Sequence, residues 1–373
     1  MSDLVKAHAK SKATAAIFQG PRRPFEIREF DVLPAPAGYG RSRLIASGVC
    51  GTDLHMARGT LTVPVPGIIG HEFVGKLEDC DPEEAAKFGL SVGDNVIADI
   101  AVPCGKCLLC LTGDDANCVN MGVTNEGSID EPPYLWGGYS EVNFTPLTNL
   151  IKIPEDVDPV AAAVFACPGP TVIHAFRLGL RAGFKPDENT VALVQGLGPV
   201  GSFAIMYLKA AGVKRIYAVG GRYNADKERL ALADGADKVF FTSRDGEDDI
   251  KAALASENGG LGIDLCVEAS GAPAAVPLGI EVLRNRGMYL VPGQYSNSGG
   301  ISIQPQLITF KALQIIGSSQ YSIIDVKDYL AFLSANHNLQ KDIRALATTD
   351  PVSKANDAFR DALTGKNVKT VLI

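Results

Sequence analysis

The sequence predicts an α/β protein with two domains, one mostly β and one built on a doubly wound parallel sheet. The chain has 373 residues, which is more than a single hydrophobic core usually organises. Residues 13–45 alternate apolar and polar positions between turn residues, a pattern typical of short strands. Beyond residue 190, buried strands alternate with helices after a glycine-rich turn, which indicates a parallel sheet covered by helices.

The first domain begins with an irregular terminus. Residues 1–20 carry lysines among alanines but no apolar segment of the kind found in signal peptides, so a first strand is expected from Ala13. Further strands are predicted at residues 43–47 and 92–98, with an acidic, exposed loop and a short helix at 78–87 between them. Residues 134–142 are expected to return to strand, and Trp136 either packs in the core, which we favour, or lines a substrate cleft.

Composition limits the classes of partner. Apolar residues make up 46% and charged residues 21% of the chain, which is ordinary for a globular protein. A net charge of −7 provides no basic surface for nucleic acid or an anionic membrane, and no apolar run is long enough to span a bilayer. Small molecules and further copies of the chain are the expected partners. The eight cysteines are bunched, which favours reduced, metal-binding thiols in the cytoplasm over disulfides.

Two motifs carry candidate metal ligands, one cysteine and one histidine that lie about twenty residues apart. They are Gly48-Val49-Cys50-Gly51-Thr52-Asp53-Leu54-His55 and Gly70-His71-Glu72-Phe73-Val74-Gly75. A thiolate from Cys50 and an imidazole from His71 suit Zn²⁺, which keeps one position open for substrate when the protein supplies three ligands. The alternative is a buried cysteine and a histidine that merely packs in the core.

The same motifs carry side chains that could assist a catalytic metal. Thr52 and His55 have groups that pass a proton, as a hydroxyl and an imidazole do in acid–base catalysis. Asp53 and Glu72 supply carboxylates that can orient a ligand imidazole from behind. These residue types predict an active site organised around a metal ion.

Four more cysteines form the most specific local pattern in the sequence. The spacing C-x2-C-x2-C-x7-C over Cys104, Cys107, Cys110 and Cys118 lets one loop surround a tetrahedral ion with no open position. This arrangement predicts a structural zinc site. An iron–sulfur cluster is the main rival, but its usual cysteine runs have different spacings. Four unligated thiols so close together would oxidise.

A dinucleotide-binding turn is predicted in the second domain. A buried strand at residues 191–195 precedes Gly196-Leu197-Gly198-Pro199-Val200-Gly201, and a helix is expected over residues 202–211. Glycines at these offsets permit a tight turn, close approach of the backbone to a pyrophosphate, and close helix packing. Further strands are expected at 216–219, 238–242, 263–268, 287–291 and 313–317, with Cys266 in the core.

The end of the predicted strand at residues 216–219, the second strand of this domain, bears on cofactor choice. An NAD site usually has an acidic residue there for the ribose hydroxyls, but this chain continues Gly220-Gly221-Arg222. A guanidinium would bind the 2′-phosphate of NADP, so NADP is favoured. In the alternative interpretation Arg222 is solvated, Asp226 reaches the ribose, and NAD is the cofactor.

The two motifs at residues 48–55 and 70–75 resemble those of the zinc-containing alcohol dehydrogenases of the medium-chain dehydrogenase/reductase superfamily. The resemblance extends from about Ala13 to the C-terminus and includes the four-cysteine lobe, the turn at 137–141, and a closing helix at 353–363 followed by a strand. It implies a mostly β, GroES-like catalytic domain over residues 1–168 and 318–373. It also implies a Rossmann domain over residues 169–317.

The resemblance assigns further roles. The third catalytic zinc ligand stands ahead of a helix in this family, a place that Cys167 occupies here; a buried structural cysteine is the alternative. Thr171 would lie against the nicotinamide, Lys369 would touch the pyrophosphate, and His174 is expected to pack within its helix. The Gly220–Arg222 segment is similar to a Gly-Ser-Arg of bacterial NADP-dependent secondary-alcohol dehydrogenases.

The implied activity is reversible hydride transfer between an alcohol and its aldehyde or ketone. Two zinc ions, NADP or NAD, and a homodimer or homotetramer are expected. In the family mechanism Thr52 takes the hydroxyl proton and passes it through the cofactor ribose toward His55, while Glu72 orients the site or visits the metal. The alternatives are a polyol, sugar or amino-alcohol dehydrogenase, a non-catalytic relative, and a zinc-free reductase of activated alkenes.

Overall fold

The computed structural model describes residues 11–365 and 367–373, so most of the predicted irregular terminus lies outside the described residues. The described chain divides into two compact units. The first unit contains residues 11–167 together with the C-terminal segment from Ser322, and the second is Pro168–Tyr321. Within the described residues, none of the helices has the length and apolar character required to cross a membrane.

Short strands dominate the first segment of the chain, up to Cys167. In chain order its elements are β1 (Lys12–Ile17), β2 (Glu26–Asp31), β3 (Tyr39–Gly48), α1 (Gly51–Arg58), β4 (Glu72–Asp79), α2 (Pro82–Ala86), β5 (Asn95–Ala98), β6 (Ala101–Val102), α3 (Leu108–Leu111), β7 (Gly122–Val123), β8 (Val142–Pro146), β9 (Leu150–Lys152) and α4 (Pro159–Val164). Short 3-10 turns at Asp115–Asn117 and Leu147–Asn149 connect some of them.

The second unit alternates helices with strands. Its elements are α5 (Pro168–Arg181), β10 (Val191–Gln195), α6 (Pro199–Ala210), β11 (Arg215–Gly220), α7 (Ala225–Asp234), β12 (Lys238–Phe241), α8 (Thr242–Asp245), α9 (Glu247–Ala255), α10 (Glu257–Gly260), β13 (Ile263–Glu268), α11 (Ala275–Val282), β14 (Leu283–Val291), α12 (Pro305–Phe310) and β15 (Gln314–Gly317). All the strands predicted for this region are present.

The C-terminal segment returns to the first unit. Its elements are α13 (Ile323–Ala335), α14 (His337–Ala345), β16 (Ala347–Asp350), a 3-10 turn (Val352–Lys354), α15 (Ala355–Thr364) and β17 (Lys369–Leu372). β17 pairs with β3 and β16 in a seven-stranded sheet of order β16-β17-β3-β4-β5-β9, and β8 also pairs with β3. The predicted closing helix and strand are therefore confirmed, and β17 lies beside the strand that leads to Cys50.

One strand prediction in the first unit is wrong. Residues 134–141 form no continuous strand, although Ser140 makes an isolated antiparallel bridge with Ala15 of β1, and the strand begins only at Val142. Gly138 and Tyr139 donate backbone hydrogen bonds to the carbonyls of Gly70 and Ile69, so this stretch crosses the segment before His71. Trp136 packs against the core, as predicted, with its ring 5.5 Å from that of Tyr39.

The sheet of the second unit has the strand order of dinucleotide-binding folds. Its six parallel strands lie in the order β12-β11-β10-β13-β14-β15. β10 is the first strand of this sheet in chain order, and the strand order reverses beside it, between β10 and β13. Ligands bind at the carboxyl ends of the strands at such a point. The helix after β10 begins at Pro199, three residues earlier than predicted, because proline is well tolerated in the first helical turn. Cys266 is fully buried in β13, as predicted.

Candidate active site

The first unit brings Cys50, His71 and Cys167 together from three places in the chain. Cys50 caps the N-terminus of α1, two residues after β3 ends. His71 precedes β4, whose first residue lies opposite the last residue of β3 in the antiparallel register. Cys167 follows α4, a helix that packs against β3 and β4. The ends of two neighbouring strands and one helix therefore meet at a single point.

The geometry at this point fits one metal ion. Donor atoms of Cys50, His71, Glu72 and Cys167 all lie within 4.8 Å of one another. The sulfurs of Cys50 and Cys167 are 3.8 Å apart. Two sulfurs bound to one tetrahedral zinc at about 2.3 Å would be separated by about 3.8 Å. The site therefore has the donor types and the spacing of a zinc centre.

The protonation of these side chains is set by their proximity. The thiol of Cys167 and, more weakly, His71 hold the pKa of Cys50 well below that of a free thiol, although burial opposes them. The contact with Cys50 raises the pKa of Cys167 well above its usual value. Burial lowers the pKa of His71, but Cys50 and Asp53 outweigh that effect and raise it. The cluster thus contains one thiolate that is ready to bind a cation, and a metal would displace the remaining protons.

Asp53 fixes the arrangement around the cluster. One carboxylate oxygen, Oδ2, accepts hydrogen bonds from the backbone N–H of Cys50 at 2.8 Å and from the hydroxyl of Tyr139 at 2.7 Å. The other oxygen lies 3.6 Å from Nδ1 of His71. The imidazole is therefore oriented through Nδ1, which leaves Nε2 for a metal. The sequence predicted this orienting role for a carboxylate, but it did not identify Tyr139.

Exchanging Asp53 for asparagine is expected to weaken zinc binding at this cluster by about 10- to 100-fold, because the amide carries no charge to orient and polarise His71. Zinc retention during competition with a chelator would measure the effect. Tyr139→Phe removes only one contact to Asp53 and should have a smaller effect. The exposed Asp357→Asn serves as a control. Equal zinc retention by Asp53→Asn and the native chain would contradict this assignment.

Glu72 and Lys369 form a buried ion pair at the same cluster. Both side chains are fully buried, and the ammonium of Lys369 contacts the carboxylate of Glu72. Gly48 makes this possible, since a Cβ atom there would lie 1.9 Å from a carboxylate oxygen of Glu72. Burial raises the pKa of Glu72 to about 8 even though Lys369 acts to lower it. Lys369 thus lies at the metal cluster in this structure, and its contact with a cofactor pyrophosphate stays a prediction.

Thr52 and His55 lie on α1, three residues apart and so on the same helical face. The hydroxyl of Thr52 is 3.7 Å from the sulfur of Cys50. Nδ1 of His55 is 3.2 Å from the hydroxyl of Thr60, and the ring is partly exposed. Partial burial and the nearby Arg58 lower the pKa of His55, so its imidazole is neutral at neutral pH and can accept a proton.

The four-cysteine lobe forms a second compact cluster. Sulfur atoms of Cys104, Cys107, Cys110 and Cys118 lie within 4.8 Å of one another. Those of Cys107 and Cys118 are 3.9 Å apart, close to the spacing on a single tetrahedral zinc. Backbone N–H groups point at the sulfurs: Cys104 and Asn120 donate to Cys118, at 3.2 and 3.4 Å. The N–H of Lys106 lowers the pKa of Cys104 to about 6, which favours the thiolate that binds metal.

The glycine-rich turn of the second unit lies between β10 and α6. Gly201 packs against the turn itself, since a Cβ there would lie 1.9 Å from the carbonyl oxygen of Gly196. Around Gly198, by contrast, a Cβ would meet nothing within 4 Å, which leaves the backbone open to a ligand. Pro199 and Val200 form the first turn of α6, whose N-terminal N–H groups can bind a phosphate.

The loop after β11 presents Arg222 to solvent. Gly220 ends the strand, Gly221 and Arg222 are exposed, and Tyr223 stacks on the guanidinium of Arg244 at 4.9 Å. The carbonyl of Gly221 accepts hydrogen bonds from residues 242 and 243, which fixes the loop. Asp226 is exposed on α7, where it pairs with Arg229 at 3.7 Å. Arg244 lies twenty-two residues beyond Arg222, and no local pattern in the sequence predicts its place beside this loop.

Thr171 and His174 both lie in α5. Thr171 is partly exposed in its first turn, and His174 is buried within the helix, where it was expected to pack. The structure therefore places Thr171 at the start of the second unit, directly after the segment that carries Cys167. The predicted contact of Thr171 with a nicotinamide stays a prediction.

Comparison with known proteins agrees with both units. Residues 42–155 match the family model of the alcohol dehydrogenase GroES-like domain, and residues 199–335 match that of zinc-binding dehydrogenases. A probable alcohol dehydrogenase of Mycobacterium tuberculosis is 30% identical over 314 residues, which cover 82% of each chain. The chain belongs to the zinc-containing alcohol dehydrogenase family. The predicted resemblance and the predicted fold class are thereby confirmed.

Other members of this family share the architecture. A 5-exo-hydroxycamphor dehydrogenase of Pseudomonas putida is 30% identical over 317 residues, or 83% of each chain. The crystal structure of an alcohol dehydrogenase from Thermotoga maritima superposes with a TM-score of 0.87 at 25% identity, covering 97% of this chain and 99% of the other. The chain is thus a dehydrogenase-family member with a GroES-like unit and a Rossmann unit.

Proposed function

We propose that this chain is a zinc-dependent alcohol dehydrogenase that uses NADP in preference to NAD. The observation that carries the proposal is the convergence of Cys50, His71 and Cys167, with two sulfurs 3.8 Å apart and all donors within 4.8 Å. Three such ligands leave one position of a tetrahedral zinc for a substrate. A chain that only binds the nucleotide would have no chemical use for this cluster.

Cys50, His71 and Cys167 would hold the catalytic zinc, with Glu72 beside them. When bound, zinc supplies Lewis-acid stabilisation of negative charge on the substrate oxygen. Asp53 accepts hydrogen bonds from the N–H of Cys50 and the hydroxyl of Tyr139, and its other carboxylate oxygen lies 3.6 Å from Nδ1 of His71, so it keeps both ligands in place. The ammonium of Lys369 contacts Glu72, so that a carboxylate charge on Glu72 would not be left unpaired in the buried site.

Proton removal is assigned to the face of α1. Thr52 is close enough to Cys50 to reach a substrate hydroxyl at the cluster and accept its proton. His55, partly exposed on the same face and with a lowered pKa, is neutral and can transfer that proton to solvent. The four-cysteine lobe would hold a second, structural zinc, because its four sulfurs leave no open position for substrate.

The second unit supplies the cofactor site. Gly196, Gly198 and Gly201 shape the turn for a pyrophosphate at the N-terminus of α6. Arg222 is exposed beyond β11 on a loop that is fixed by hydrogen bonds, where it can pair with a 2′-phosphate. Asp226 is exposed on α7, where it pairs with Arg229 at 3.7 Å, and its contact with the ribose hydroxyls is the alternative.

The substrate is proposed to be an alcohol that is oxidised reversibly to an aldehyde or ketone. Relatives named as a probable alcohol dehydrogenase and as a 5-exo-hydroxycamphor dehydrogenase support a hydroxyl-bearing carbon as the reacting group. A polyol, sugar or amino alcohol remains the alternative within the family. Self-association into a homodimer or homotetramer is proposed as well, because the second unit ends in an edge strand, β15, near the 76% exposed Phe310.

Screening a panel of alcohols by NADPH absorbance, with zinc analysis and mass determination on the same sample, would test the proposal. Oxidation of secondary or primary alcohols is expected to require zinc, and removal of the metal should abolish it. Turnover of activated alkenes by a zinc-free preparation would instead favour the reductase alternative. A preparation that binds NADPH but turns over no hydroxyl compound would favour a non-catalytic relative.

A further inference from the structure

The first unit contains an open pocket that lies outside the metal cluster and the proposed proton path. It has a volume of about 450 Å³, which is within the range of small-molecule sites. Four arginines, Arg22, Arg23, Arg58 and Arg360, line it, and we refer to it as the arginine pocket. Among the described residues that line it, none carries a carboxylate. This concentration of cations stands out in a chain with a net charge of −7.

The charges of the pocket are largely uncompensated. Within the described residues, Arg360 pairs with Asp357 at 3.0 Å, and both side chains are highly exposed, so solvent screens the pair. Arg22, Arg23 and Arg58 form no ion pair with any described residue. Guanidinium groups arranged around a cavity attract an anion with a planar or tetrahedral oxygen head.

The floor of the pocket is apolar and rigid. Phe18, Phe25 and Phe359 are almost fully buried and pack on one another, with ring centroids 5.8 Å apart for Phe18 and Phe25 and 5.2 Å apart for Phe25 and Phe359. Their exposed edges line the cavity together with Leu363 and Ala57. A ligand that reached the arginines would therefore also contact an apolar surface.

Three segments line the pocket: residues 18–25, the end of α1, and α15. Hydrogen bonds join these segments, so the pocket is formed in advance of binding. The N–H of Arg22 donates to the carbonyl of Ala57, near the end of α1, at 3.0 Å. Asn356 of α15 clamps Phe25, accepting from its N–H at 2.8 Å and donating to its carbonyl at 3.0 Å. A preformed site does not have to be ordered when a ligand binds, which favours affinity.

We propose that the arginine pocket binds a small organic anion with a carboxylate or phosphate head and an apolar body. The head pairs with the arginines at the rim, and the body lies on the phenylalanine floor. A head group without an apolar body would gain only the charge contacts and should bind more weakly. The site is separate from the proposed zinc and cofactor sites, because no metal ligand or glycine-turn residue lines it.

Calorimetric titration of the zinc-loaded chain, with NADPH present at saturation, tests this proposal. The probes are octanoate, octyl phosphate and inorganic phosphate. Saturable binding of octanoate or octyl phosphate is expected, tighter than that of inorganic phosphate, and the better of the two identifies the head group. The double variant Arg23→Gln/Arg360→Gln should bind that probe about a hundredfold more weakly, since each charged contact contributes about a factor of ten.

Two control variants make the result specific. Arg28→Gln changes an arginine outside the pocket that pairs with Glu26, and it should leave the affinity unchanged. Cys50→Ser should also leave it unchanged, which excludes binding at the catalytic cluster. Absence of saturable binding, equal affinity in the double variant, or loss of binding in Cys50→Ser would overturn the proposal. Dissociation of an oligomer in the double variant without probe binding would also overturn it, because the pocket would then be an interface between copies.

Discussion

Replacing Cys50 with serine is expected to lower kcat by about a thousandfold or more, because the catalytic zinc would lose a thiolate ligand and with it several kcal/mol of transition-state stabilisation. A serine hydroxyl is not ionised at neutral pH and is a poor zinc ligand. NADPH affinity should remain close to native, since the glycine turn and Arg222 lie in the other unit. Steady-state kinetics and NADPH fluorescence titration measure the two quantities.

Cys80→Ser is the matched control for this experiment. Cys80 is a partly buried free thiol in the same unit, and it belongs to neither cluster of four donors. Its substitution should leave both the zinc content and kcat near native values. Retention of more than about a tenth of the native kcat in Cys50→Ser would mean that the cluster is not the reaction centre.

Replacing Arg222 with aspartate is expected to lower kcat/KM for NADP by about 10- to 100-fold, because a charge-assisted pair with the 2′-phosphate becomes a repulsion. The same change should leave kcat/KM for NAD unaffected or raise it, since an acidic residue at this place can bind the ribose hydroxyls. The ratio of kcat/KM for the two cofactors, measured with one alcohol, gives the result.

Lys214→Asp makes the same charge change beside the opposite end of β11, where the side chain is highly exposed and pairs with Glu188. It should not alter the ratio of kcat/KM for the two cofactors, because Lys214 lies at the other end of the strand from Arg222, and the loss of an exposed ion pair should cost little stability. A native preference for NAD that Arg222→Asp fails to strengthen would show that this arginine does not select the cofactor.

Local sequence spacing predicted the parts of the site that lie within one turn or loop. The four-cysteine lobe and the Gly196–Gly201 turn follow from short-range patterns, because the ligands of each are separated by only a few residues. The alternation of strands and helices similarly predicted the parallel sheet, although the strand order became known only from the structure. Cys167 was placed by family resemblance, since no local spacing connects it to Cys50.

Residues that reach the site through tertiary packing were not predictable in this way. Tyr139 contacts Asp53 from a stretch that was expected to be a strand but instead crosses residues 68–70. Lys369 contacts Glu72 because β17 pairs with β3, a pairing across more than three hundred residues. Arg244 reaches Tyr223 from α8, the short helix that follows the neighbouring strand β12. The sequence gives the identity of each of these side chains, but the residue that each one contacts depends on strand order and register.

The central claim is that Cys167 shares one reactive ion with Cys50 and His71. Measuring the zinc content of the native chain and of the Cys167→Ser variant tests it most directly. We expect native chain to contain two zinc ions, one for each donor cluster, and the variant to retain only the ion of the four-cysteine lobe and to be inactive. Cys80→Ser should retain both ions. A Cys167→Ser variant with full zinc content and native activity would contradict the account.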